Sequence, residues 1–279
     1  MTSNEIIEIV RSPKEKAASK KIRKWFIAED VLMQQFEDFE EEGALPDLLG
    51  KNILVSENQF ANIYNIVKQI ANTLEMPIPQ VFIYDSYECV VDSEGIKIPR
   101  LEISARVVKE FTIKEITHTL AKEMYHIKVG HIYYEVMAEK IMGLFNVAPN
   151  LPGVNLIKQF GGDFVAQGAN FHFRSLAFKW FSYACFSAEN FAVVYTNSIT
   201  SSISATLMGI FNERILVDSI HIKDYLEQIP KIESCLGPAA TLEIINEVIP
   251  YGPYRIDNML KFVISENGKK LYNYFPGVL

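Results

Sequence analysis

Within Thr117-His118-Thr119-Leu120-Ala121-Lys122-Glu123-Met124-Tyr125-His126, a carboxylate and an imidazole stand at a spacing that suits metal-assisted hydrolysis. The full pattern, H-E-x-x-H on a helix, holds two imidazoles one turn apart so that both reach one Zn²⁺, while its Glu acts as general base toward the metal-bound water. Here Glu123 and His126 occupy the last two functional positions, and Lys122 stands where the first imidazole belongs. A metal ligand must offer a lone pair, whereas a protonated lysine has three donors, no acceptor and a charge that repels the dication. His118 shares a helix face with Lys122 and His126, but it lies two turns from His126, about 12 Å along the axis, too far for both to reach one ion.

The elements that would position these groups follow from apolar spacing. Ile113, Ile116, Leu120, Met124 and Ile127 make the buried side of a helix over 112–130. Phe60, Ile63, Ile66, Ile70 and Leu74 predict an earlier helix stopped before Pro77 and Pro79. Val81-Phe82-Ile83-Tyr84 and the alternating Leu101-Glu102-Ile103-Ser104 read as strands joined by a loop containing Gly95 and Pro99. Beyond Gly153 and a break at Gly161-Gly162, a second long apolar helix is expected from about 173 to 195. The remainder reads as helical, with Ile210, Ile215, Leu216 and Ile220 as a core stripe and prolines as punctuation. The aromatic crowd at Phe173, Phe178, Trp180 and Phe181 reads chiefly as core.

With 279 residues, 49% of them hydrophobic, the chain can bury a large core. The net charge of −7 argues against a nucleic-acid footprint. Cys89, Cys185 and Cys235 are far apart and form no C-x-x-C pair, which points to neither a disulfide framework nor a thiolate zinc knuckle. The first residues lack a basic stretch followed by an apolar run, and no uninterrupted apolar window is long enough for a membrane span, so a soluble, cytoplasmic protein is expected. Residues 14–43 are basic first (Lys14, Lys16, Lys20, Lys21, Arg23, Lys24) and acidic later (Glu37, Asp38, Glu40, Glu41, Glu42), which reads either as a solvated face or as an arm that docks a protein partner.

Several separated segments together resemble the HtpX-like and CAAX-prenyl-endopeptidase group of zinc metallopeptidases, a gluzincin family (peptidase family M forty-eight). Residues 63–77 are similar to that family's helix before its first sheet strand, and Pro79 to Ser86 to the strand itself. Leu101, Glu102, Ile103 and Ser104 sit where the family places the edge strand that pairs with substrate backbone. Leu120 to His131 resembles its L-A-H-E-L-G-H-I-x-x-G-H helix, Trp180 to Ala192 its W-x-R-x-x-E-x-S-A-D-R segment, and Pro253 to Leu260 its H-P-x-x-x-R-I-x-x-L ending. The resemblance implies an α+β, zincin-like fold, mostly helical with a small sheet carrying a substrate-binding edge strand, over 56–279, preceded by a charged helical region over 1–55. By position it makes Glu123 the vestigial catalytic acid, Lys122, His126 and Cys185 the places of the zinc ligands, Glu189 and Arg255 supporting residues, and Gly252 the place of a family histidine.

Two of the three ligand positions are changed. The Lys122 ammonium would stand in for the metal by pairing with Glu123, Glu189 or both, leaving Cys185 as a small core residue. The leading reading is therefore a metallopeptidase homologue without catalysis or cofactor, whose former cleft binds a peptide or protein. The alternatives are a zinc endopeptidase with unorthodox ligands and a regulatory or structural subunit of a peptidase or peptide-modification complex that docks through 14–43.

Overall fold

The computed structural model describes residues 1–26, 33, 43–147, 152–235 and 250–275; for 143–147 and 152–171 the backbone alone is described. The acidic half of the charged 14–43 region lies outside the described residues. The fold is α+β: helices dominate, and one mixed four-stranded sheet is set among them.

Strands β1 (Ile53–Leu54), β2 (Gln80–Tyr84), β3 (Val91–Glu94) and β4 (Arg100–Ser104) lie in the order β1-β2-β4-β3. β2 and β4 run parallel with Val81 opposite Leu101 and Ile83 opposite Ile103, and all four side chains are buried. β3 returns antiparallel along the outer side of β4. This corrects the place expected for the edge: Leu101, Glu102, Ile103 and Ser104 form an interior strand paired on both sides, and Val91–Glu94 is the edge. The physical reason lies in burial, since Leu101 and Ile103 are fully buried, as suits a central strand, whereas Asp92 reaches solvent. Ser104 N–H bonds to the Val90 carbonyl, so ladder alternation turns the backbone groups of Asp92 and Glu94 toward β4 and those of Val91 and Ser93 toward the open side.

A helix over Ala61–Thr73 packs Ile63, Ile66, Val67 and Ile70 into the same core as the sheet and the motif helix, Ile113–Val129. Ile116, Leu120 and Met124 of the motif helix are buried, but Ile113, in its first turn, is 42% exposed. The long helix runs Pro152–Thr196 without interruption through Gly161-Gly162, where a break was expected. A glycine costs about 1 kcal/mol relative to alanine in a helix, a cost tertiary packing overrides. Phe173, Trp180, Ala184, Ala188 and Phe191 along this helix are fully buried. The stripe expected at Ile215 and Leu216 is also corrected: both are exposed on the short helix Arg214–Asp218, whose buried residue is Val217.

The first helices belong to this core. Ile6 and Val10 of Ser3–Val10 join the main cluster, while Ala18 and Ile22 of Pro13–Ile22 pack with Phe173, Ala177 and Trp180. Among the described residues no helix is long and apolar enough to cross a membrane.

Candidate functional site

The motif helix is cut at both ends by its own sequence. Thr112 and Glu115 form a reciprocal capping box at the start, and Gly130 closes the end at φ 74°, a left-handed conformation that favours glycine. Between these stops Lys122, Glu123 and His126 face a cavity of ≈180 Å³ beneath β3. Lys122 Nζ lies 2.8 Å from Glu123 Oε1, and Ser93 Oγ donates to Glu123 Oε2 at 2.8 Å. Burial works against the charge on Glu123, yet Lys122, His126 and Ser93 outweigh it and hold its pKa below the usual range. Burial likewise opposes the Lys122 ammonium, and Glu123 more than compensates. Both partners are therefore ionised, and Lys122 has no lone pair to give.

Cys185, on the long helix, also lines the cavity. Burial, with Glu189 adding to it, pushes its thiol up to about 12, so it is held protonated. Glu189 does not reach Lys122: its Oε1 accepts from Arg255 Nε at 2.6 Å, a buried pair that ties the long helix to the helix Gly252–Ile264. At Gly252, where the family has histidine, a Cβ would stand 2.2 Å from Tyr225 Oη and 2.8 Å from Ile210 Cδ1, so a side chain there requires both neighbours to move. The residues at these three positions do not fit a zinc ion: Lys122 is an ammonium paired with Glu123, which leaves only Cys185 and His126 as possible ligands, below the three a catalytic zinc keeps, and among the described residues no group of three or more His, Cys, Asp or Glu is arranged to hold a metal.

His126 is oriented from behind by a chain that sequence spacing did not suggest. Its Nδ1 lies 3.0 Å from His131 Nδ1, His131 Nε2 lies 3.0 Å from Glu15 Oε1, and Arg11 Nε donates to the same Glu15 oxygen at 2.6 Å. Burial opposes ionisation of Glu15, but His131 and Arg11 hold its pKa low, while burial lowers His131 and takes His126 down to about 3. Both rings are thus neutral at pH 7. A carboxylate opposite His131 Nε2 requires the proton there, leaving a lone pair on His131 Nδ1; His126 Nδ1 must then donate, and its Nε2 becomes an acceptor on a ring that lines the cavity. No local pattern could reveal this chain, since Glu15 stands 116 positions from His131.

Asp92, Glu94 and Glu135 were also missed. Val91-Asp92-Ser93-Glu94 has too few β-favouring residues to announce a strand, and Glu135 sits one turn into the helix His131–Val147 that follows the motif. His118, by contrast, belongs elsewhere: it is fully buried and does not line this cavity.

Over 92 residues the chain is 28% identical to a protein described as "Protease HtpX homolog" from Thermodesulfovibrio yellowstonii, a match covering 32% of this chain and 32% of that protein. The similarity supports a peptidase-like relationship over about a third of the length. No family model matches the chain, and no solved structure does.

Proposed function

We propose that this chain is a metallopeptidase homologue with a zincin-like fold whose altered cleft holds an extended peptide without a metal. The Lys122–Glu123 ion pair carries the reading: it places a fixed cation where the first zinc-binding imidazole would stand and neutralises the acid that would have served as general base. The cleft keeps a means of holding substrate that requires no metal. β3 has an open side on which the backbone groups of Val91 and Ser93 can pair with a ligand strand, and Ser93 already contacts Glu123 beneath it. β3 thus takes the role first expected of Leu101 to Ser104.

The test is metal content by elemental analysis after zinc loading, with the Lys122→His, Cys185→Glu double variant as positive control. The expected result is no stoichiometric zinc in the native chain; one equivalent retained through gel filtration would overturn the reading. A second reading, a working endopeptidase, is favoured by the similarity to the protein from Thermodesulfovibrio yellowstonii described as a protease. Under that reading Glu123→Gln must abolish any peptide cleavage the native chain performs, and unchanged cleavage would remove it.

A further inference from the structure

We infer that the cavity beneath β3 is a subsite for a cationic side chain, a lysine or arginine of the bound peptide. The inference rests on the peptide-cleft reading and adds to it the class of residue selected.

Charge provides the first argument. Asp92, Glu94, Glu123 and Glu135 line the cavity with Lys122 as the cation among them. Lys122 is committed to Glu123, and among the described residues no hydrogen bond or ion pair reaches the side-chain carboxyl of Asp92, Glu94 or Glu135. Burial and the neighbouring carboxylates both oppose ionisation of these acids. Burial first, then the charges of Glu123, Glu139 and Glu94, push Glu135 up to about 8; the surrounding protein and Glu123 push Asp92, which also reaches solvent, up to about 6. Such a cavity lacks a positive charge.

An independent observation specifies the kind of cation. His126 is 8% exposed, its Nδ1 is taken by His131, and among the described residues its Nε2 has no partner. The chain from Arg11 through Glu15 and His131 makes that nitrogen an acceptor, so the group it meets must be a hydrogen-bond donor. The unpaired groups of the cavity are thus a lone pair and carboxyls, and an ammonium or guanidinium supplies both a charge and several donors. Phe181 and Cys185 form the apolar part of the wall, suited to the methylene stem that precedes such a head. The volume of ≈180 Å³ admits a side-chain head but not a folded segment.

The experiment is isothermal titration of the full chain with acetylated, amidated pentapeptides that differ only in the central residue: lysine, arginine, norleucine or glutamate. n-Propylguanidinium and Zn²⁺ alone serve as further probes. The lysine and arginine peptides are expected to bind at least about tenfold tighter than the norleucine peptide, the glutamate peptide more weakly than any, and Glu135→Gln to erase most of the margin. The comparison of lysine with norleucine needs no variant, so a misfolded Glu135→Gln protein leaves the test intact. Equal binding of all four peptides would overturn the cation subsite while leaving the peptide cleft standing. Binding of n-propylguanidinium without any peptide would uphold the subsite and remove the cleft. Displacement of n-propylguanidinium by stoichiometric Zn²⁺, or binding of none of the probes, would overturn the subsite.

Discussion

Replacing Lys122 by methionine removes the charge that lets Glu123 remain ionised in a partly open cavity, where the two side chains are 23% and 9% exposed. Breaking such a pair from one side is expected to cost roughly 2–3 kcal/mol, read as a lower urea midpoint at pH 7. The Lys122→Met, Glu123→Leu double variant should recover most of that loss, because removal of both charges leaves nothing uncompensated. Buried histidines set the acid limit at the same scale. Burial takes His118 and His126 to about 3, below their unfolded value near 6.5, so between those limits the unfolded chain binds more protons than the folded one. Their stabilising contribution is fully present above about 6.5 and is lost as pH falls toward 3, at about 1.4 kcal/mol per pH unit for each ring. His118→Phe should flatten the dependence of unfolding free energy on pH between 6 and 4, and an unchanged slope would contradict this assignment. That Lys122 stands next to Glu123 was legible in the sequence, but neighbours in a helix point about 100° apart, so only the fold decided that Lys122 pairs with Glu123 and not with Glu189.

The motif helix was equally legible, because its period, its capping box and its terminal glycine are all local signals. Thr112→Ala should lose about 1 kcal/mol by leaving the first turn uncapped, and Gly130→Ala about 1 kcal/mol through its left-handed backbone; thermal melts read both. The sheet was only half legible. β2 and β4 announce themselves through buried aliphatics, but β3 is written in Asp, Ser and Glu and is held in place by β4 on one side. The edge beside the cavity is therefore β3, which carries Asp92 and Glu94 into the cavity lining, and not the strand that the resemblance implies. The long helix shows the reverse error, since a Gly-Gly pair that breaks isolated helices persists in one that continues into a buried segment.

The N-terminal helices connect the whole molecule to its candidate site. Ile6, Val10 and Ile22 are buried, and Glu15 reaches His131, so deletion of residues 1–24 is expected to expose this apolar surface and strand His131 without its carboxylate. The truncated chain should lose its cooperative thermal transition; a truncated protein that melts as the full chain does would contradict this. The sequence alone determined that one helix would carry Lys122, Glu123 and His126, with a lysine at the position where the H-E-x-x-H pattern has its first imidazole. Both follow from neighbours within a few residues. Only the tertiary structure decided that Glu189 serves Arg255 and not Lys122, that Val91–Glu94 forms the edge above the cavity, and that Arg11, Glu15 and His131 orient His126. Each of those depends on groups far apart in the chain meeting in a low-dielectric interior, where burial and charge select the partner and sequence distance carries no information.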